Sequence, residues 1–154
     1  MRRKIKKHMD YNGIKNKIHD KLVNNIYENP ELLGLKPEDY VYRGRYEHIG
    51  NYVPDLVFIC KTKKTQETGL YKLLVVEVKA QGYGLSIRRS EIELYNILNS
   101  FIRKKSKIIE IYSKRLDQNY PKLQSLYFSY RIAFTNYFGG VDVVKPTTWE
   151  DRDV

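Results

Sequence analysis

The sequence predicts an α/β domain with elements in the order helix, strand, strand, strand, helix, strand, and three observations predict it. Two apolar runs, Leu56 to Ile59 and Leu73 to Val78, are short and nearly continuous, the pattern of strands covered on both faces. Two other stretches space their apolar residues as helices do, one from about Ile14 to Ile26 and one from Leu94 to Ile102. A chain of 154 residues suffices for one domain with a core that needs no disulfides. The expected division is a basic arm over residues 1–12, the domain over 13–146 and a polar tail over 147–154.

Composition narrows the class. Lys plus Arg number 28 against 18 Asp plus Glu, a formal net charge of +10, which points to a polyanionic partner. DNA is the first expectation, with RNA left open. The lone cysteine, Cys60, rules out an internal disulfide framework and a cysteine-based zinc cluster. No apolar run approaches the roughly 18 residues of a membrane span, and no signal-peptide core follows the basic N-terminus. An intracellular, cytoplasmic or nucleoid-associated protein is expected.

In chain order, Met1 to His8 carries Arg2, Arg3, Lys4, Lys6 and Lys7, a candidate arm for a phosphate backbone. Ile14, Ile18, Leu22 and Ile26 then mark an amphipathic helix ended by Pro30, with Lys15, Lys17, His19, Asp20 and Lys21 on its polar face and Glu28 at its end. Here His19 reads as a solvated helix residue. Asn29 to Asp39 reads as a loop with a short helical turn. Tyr40 to Ile49 alternates as a strand, and Gly50-Asn51 turns the chain back. The second strand, Pro54 to Ile59, opens with Asp55. Lys61 to Gly69 has three lysines and no apolar residue, the composition of a solvated hairpin loop. A third strand, Leu73 to Lys79, ends in Glu77-Val78-Lys79. Gly82 and Gly84 mark a turn, and Ser90 followed by Glu93 matches a capping box opening a helix over Ser90 to Lys105. A helical continuation is expected over Ile108 to Asp117; Leu126 to Tyr137 then alternates as a strand, with Val141 to Val144 as its hairpin partner across Gly139-Gly140.

The chemistry concentrates at the ends of the second and third strands. Strand side chains alternate faces, so Glu77 and Lys79 share one face with Val78 opposite. If the two strands are neighbours, roughly 4.8 Å apart, Asp55 joins them. Two carboxylates so close repel, and their desolvation calls for a cation. An all-oxygen site favours a hard ion, Mg²⁺ or Mn²⁺. Lys79 then stands where it can orient water or offset the charge of a phosphate under attack. The alternative is a surface Glu77–Lys79 ion pair, with Asp55 capping the turn after Pro54.

Pro54-Asp55 followed, 22 residues beyond Asp55, by Glu77-Val78-Lys79 resembles the PD-(D/E)xK nuclease superfamily. That resemblance implies a restriction-endonuclease-like core, an αβββαβ arrangement with a mixed central β-sheet flanked by helices. It implies Asp55 and Glu77 as metal ligands, the Val78 carbonyl as a third ligand, and Lys79 as the catalytic lysine. The segment after Lys79, a glycine-bearing loop and an amphipathic helix, looks like that of archaeal Holliday-junction resolvases and viral-replication-associated nucleases. Auxiliary residues in some members of the superfamily come from the first helix, an acid, here Asp20 or Glu28, from the first strand, an acid or histidine, here Glu47 or His48, or from the later helix and the loop before it, a glutamine or glutamate that helps position water or metal, here Glu91, Glu93 or Gln81. For Glu47 and His48 a Glu–Arg surface pairing is the plainer reading. The Gln-x-x-x-Tyr signature of one exonuclease branch is missing, since Glu91 to Tyr95 has its spacing with another first residue. Arg88, Arg89, Arg103, Lys104, Lys105 and Lys107 flank the helix as candidate backbone contacts. The expected activity is an Mg²⁺-dependent deoxyribonuclease, a structure-selective endonuclease or junction resolvase, with a homodimer compatible with the latter. A non-catalytic nucleic-acid-binding protein of the same fold is the second reading, and an unrelated ribosome-associated α/β protein the third.

Overall fold

The computed structural model describes residues 17–80, 84–136 and 138–146. The expected basic arm, Ile14 and its neighbours at the expected helix start, Gln81 and Gly82, and the expected tail over 147–154 lie outside them. Five strands form one mixed sheet in sequential order: β1 (Tyr40–Arg45), β2 (Leu56–Lys61), β3 (Leu70–Lys79), β4 (Ser125–Thr135) and β5 (Val141–Val144). Every pairing is antiparallel except β3 with β4, which is parallel. Parallel neighbours need a long crossover. Two helices provide it, α3 (Gly84–Arg103) and α4 (Lys105–Ser113). The helix over residues 17–28, α1, precedes the sheet, and a four-residue helical turn, α2 (Thr65–Thr68), joins β2 to β3.

The alternation of β2 and β3 divides the core in two. Val57, Ile59, Tyr71, Leu73 and Val75 face α3 and α4, which contribute Ile87, Leu94, Phe101, Ile108 and Tyr112. Leu56, Phe58, Cys60, Leu74, Val76 and Val78 face α1, which contributes Leu22, Val23 and Ile26. Both faces are thus covered, as the unbroken apolar runs require. Tyr71 and Phe58 at the middle of the sheet are fully buried.

Several boundaries differ from the sequence expectation. β1 ends at Arg45 instead of Ile49, because Tyr46 takes a left-handed backbone (φ 51°) and Ile49 pairs instead with Tyr52 in a small bridge. A bulge between Tyr40 and Tyr42 also turns Tyr40 toward Phe58 and Tyr42 toward Tyr112, although the two residues would share a face in a regular strand. The loop expected over Lys61 to Gly69 holds α2, anchored by buried Thr65, whose hydroxyl donates to the Leu70 carbonyl at 2.7 Å and accepts from the Thr62 amide at 2.7 Å. Gly69 (φ 68°) closes this turn where the chain passes the 122–125 segment, and a Cβ there would fall 2.4 Å from the Lys122 carbonyl oxygen. α3 starts at Gly84 and not at Ser90, so Ser90 lies buried inside the helix instead of capping it. The helical run then breaks at Lys104 (φ −107°, ψ 17°), separating α4 from α3. Among the described residues, no helix is long and apolar enough to cross a membrane.

Candidate active site

Register brings the predicted acids together. β2 pairs antiparallel with β3 from Leu56 opposite Val76, so Asp55, in the bend one step before β2, stands opposite Glu77. The Asp55 side chain is 13% exposed, and its Oδ2 accepts the Val78 amide hydrogen at 2.8 Å. In an extended strand a residue's N–H and C=O point to the same edge, so the Val78 carbonyl faces the Asp55 side as well.

Glu77 is half-buried at the end of β3, and the Tyr52 hydroxyl donates to its Oε1. Burial, with Asp55 next, pushes the Glu77 carboxyl up to about 7; the Tyr52 bond and the Lys79 charge oppose that rise. Glu77 therefore holds its proton to higher pH than an ordinary carboxylate. Tyr52 is raised in turn, first by burial and then by Glu77. Lys79 lies on the same strand face as Glu77, two residues on.

From the opposite layer α1 reaches the same point. His19 Nε2 lies 3.2 Å from Asp55 Oδ2, and its Nδ1 lies 3.2 Å from Asp20 Oδ1. Both partners are carboxylates, which accept when ionised, so His19 donates to both at once only as the imidazolium cation. Burial lowers its pKa, yet Asp55 and Asp20 together outweigh it and the net shift is upward. The Tyr46 hydroxyl donates to Asp20 Oδ1 at 2.8 Å, and this bond, followed by that of His19, holds the Asp20 carboxyl below its usual range. Asp55, His19, Asp20 and Tyr46 thus form a continuous hydrogen-bonded chain beside Glu77 and Tyr52.

The other predicted acids fall elsewhere. Glu28 is exposed at the far end of α1, nine residues from His19 or about 13 Å along the axis. Glu91 accepts from the Tyr130 hydroxyl at 2.9 Å, beside an open groove that Arg88, Ile92 and Tyr95 also line. It is Glu93 on α3 whose charge reaches Tyr52. Glu47 accepts from the Tyr42 hydroxyl, from the Tyr112 hydroxyl at 3.0 Å and from Arg115 Nη1 at 2.7 Å, so it binds β1 to α4. Its Glu–Arg pairing is as the plainer reading had it, though the carboxylate is only 16% exposed and not at the surface. Of the basic residues, Arg88, Arg89, Arg103 and Lys104 are exposed and Lys105 half-buried. Arg2, Arg3, Lys4, Lys6 and Lys7 lie outside the described residues.

Sequence reasoning missed two neighbours of the acid pair, His19 and Tyr52. A count by fours through Ile14, Ile18, Leu22 and Ile26 drifts about 40° per step on a helix of 3.6 residues per turn. At 3.6 spacing the buried face runs through Leu22, Val23 and Ile26, with His19 in line one turn earlier, while Ile18 is 52% exposed. The signal was present in the sequence at the correct period. Tyr52 carried none, since it sits in an irregular turn.

Among the described residues, no three His, Cys, Asp or Glu side chains converge as a metal cluster. The donor set that the resemblance implies is two carboxylates and one backbone carbonyl. A Glu77 carboxyl held near 7 by burial and by Asp55 is a group that a cation would stabilise in its charged form, and in that respect the residues fit a hard divalent ion. No protein-family model matches the chain, and no curated protein or solved structure matches it.

Proposed function

We propose that this protein is a metal-dependent deoxyribonuclease with a restriction-endonuclease-like core, a structure-selective endonuclease or junction resolvase. The observation that carries the proposal is the Asp55–Glu77 pair, opposed across β2 and β3 with Lys79 on the Glu77 face. Asp55, Glu77 and the Val78 carbonyl would hold Mg²⁺ or Mn²⁺, which when bound supplies charge neutralisation at a phosphodiester and a lowered pKa for water. Lys79 offsets negative charge as it builds on the phosphate. Tyr52 fixes the Glu77 carboxylate by its hydrogen bond, and His19 with the Val78 amide fixes Asp55. The formal charge of +10 favours association with a polyanion.

Purified protein incubated with supercoiled, linear and branched DNA, in Mg²⁺, Mn²⁺ or EDTA, tests this. Cutting is expected only with a divalent ion, and Glu77→Gln is expected to reduce it by ~10²-fold or more with DNA binding retained. Equal cutting in EDTA, or by Glu77→Gln, would refute the assignment.

One observation favours a second reading, a non-catalytic nucleic-acid-binding protein. The carboxylates already have partners within the chain, Tyr52 on Glu77 and His19 with the Val78 amide on Asp55. A pure binder would hold DNA equally in EDTA and cut none of the substrates.

A further inference from the structure

Between the 49–52 turn and the junction of α3 with α4 lies a cavity of about 340 Å³. Ile49, Ile97, Phe101 and Ile108 make it apolar, and Tyr52 forms a wall, with its ring 6.1 Å from that of Phe101. The same Tyr52 donates its hydroxyl to Glu77, so the cavity shares a side chain with the candidate active site. Its mouth has one sign of charge. Lys104 and Lys107 line it, and among the described residues no acidic side chain does. A Cβ built on Gly50 would lie 3.9 Å from Lys104 Nζ, which puts that ammonium over the turn. Asn51, exposed on the turn, offers both a donor and an acceptor.

An apolar recess with an aromatic wall, rimmed by ammonium groups and an amide, complements a flat ring carrying phosphate. The volume lies at the lower end of the ~300–1,000 Å³ of small-molecule pockets, which suits one nucleotide and not a duplex. We propose that this cavity takes a single unpaired nucleotide of the substrate strand, its base against Tyr52 and Ile97 and its phosphate on Lys104 and Lys107. The occupant's identity as a substrate nucleotide rests on the nuclease reading above. Selection for branched or frayed DNA follows, because a base in a regular duplex cannot enter. Base–aromatic contact tolerates any base, so the preference is for an unpaired position and not for a sequence.

Calorimetric titration of the full chain in EDTA with 2′-deoxyadenosine 5′-monophosphate, deoxyribose 5-phosphate and inorganic phosphate tests the pocket without metal or cutting. The nucleotide is expected to bind at least ~10-fold more tightly than deoxyribose 5-phosphate, the low range of what base stacking contributes. Ser100→Trp, which fills the cavity from α3, is expected to abolish that difference. Lys104→Glu, at an exposed position that spares the core, is expected to weaken the nucleotide at least ~10-fold and keeps the test decisive if Ser100→Trp fails to fold. Equal affinity for nucleotide and deoxyribose 5-phosphate, absence of nucleotide binding, or affinity unchanged by Lys104→Glu would overturn the proposal. Nucleotide discrimination in a protein that cuts no DNA would support the pocket while refuting the nuclease reading; metal-dependent cutting without discrimination would do the reverse.

Discussion

Glu77 and His19 set the protein's response to pH in the same direction. The folded state raises Glu77 from 4.5 to about 7, so between those values it binds a proton that the unfolded chain has released. His19 is raised above its ordinary 6.5, so just above that value the folded state again holds the extra proton. Both contributions are present at low pH and lost as pH rises through the folded-state values. Metal-free protein is therefore expected to lose thermal stability at these two groups as pH rises from about 5 through 7. A divalent ion requires ionised carboxylates, so the stabilisation it gives should grow over the same window. Melting temperatures measured from pH 5 to pH 8, with EDTA or Mn²⁺, check this: a Mn²⁺ effect independent of pH would place the ion elsewhere.

At the scale of elements, β1 and α4 are joined by one carboxylate. Glu47 is fixed by Tyr42, Tyr112 and Arg115, and it lies directly over Gly44, where a Cβ would fall 2.1 Å from its Oε1. An unanchored glutamate would swing away, but this one would have to break three bonds. Gly44→Ala is thus expected to destabilise the fold by at least ~1 kcal/mol, measured by denaturant unfolding. A neutral outcome would show that Glu47 is free to move. α1 is held to β1 similarly, by Arg43 and Arg45 over the Tyr27 ring at 4.8 and 4.5 Å.

The elements differ in how far the sequence revealed them. β2 and β3 were legible because strands buried on both faces leave unbroken apolar runs, and Asp55 and the Glu77–Lys79 pair stood out as the charges ending those runs. α3 was misplaced at its start. Ser90 and Glu93 imitate a cap, whereas the helix already runs from Gly84, with Ile87 packed into the core and Ser90 buried one turn further on. α2 was hidden because its determinants are the hydroxyl bonds of Thr65 and not a periodic pattern. The partners of the acid pair were least legible. His19 meets Asp55 across 36 residues and Tyr52 meets Glu77 across 25; the 3.6 period places His19 on the buried face of α1 but does not name its partner, and Tyr52 in its irregular turn carries no periodic signal at all.

For the whole molecule, the sheet places the acid pair at one end of β2 and β3, with α1 over one face and α3 and α4 over the other. The exposed basic residues Arg103 and Lys104 lie at the α3–α4 junction, beside the cavity that Tyr52 links to Glu77. The five cationic residues from Arg2 to Lys7 add charge that a polyanion would feel. Deleting residues 1–7 is expected to flatten the dependence of DNA affinity on salt, by about 0.9 in log–log slope for each duplex phosphate that the protein ceases to neutralise. An unchanged slope would mean that the arm touches no phosphate.

The most direct measurement is Mn²⁺ binding by calorimetry near pH 8, for the unaltered protein and for Asp55→Asn. A carboxylate pair that serves as a metal site should bind Mn²⁺ measurably and lose ~10-fold or more of that affinity when Asp55 is neutralised. No binding, or equal binding by Asp55→Asn, would contradict the assignment of Asp55 and Glu77 as the metal ligands of a nuclease.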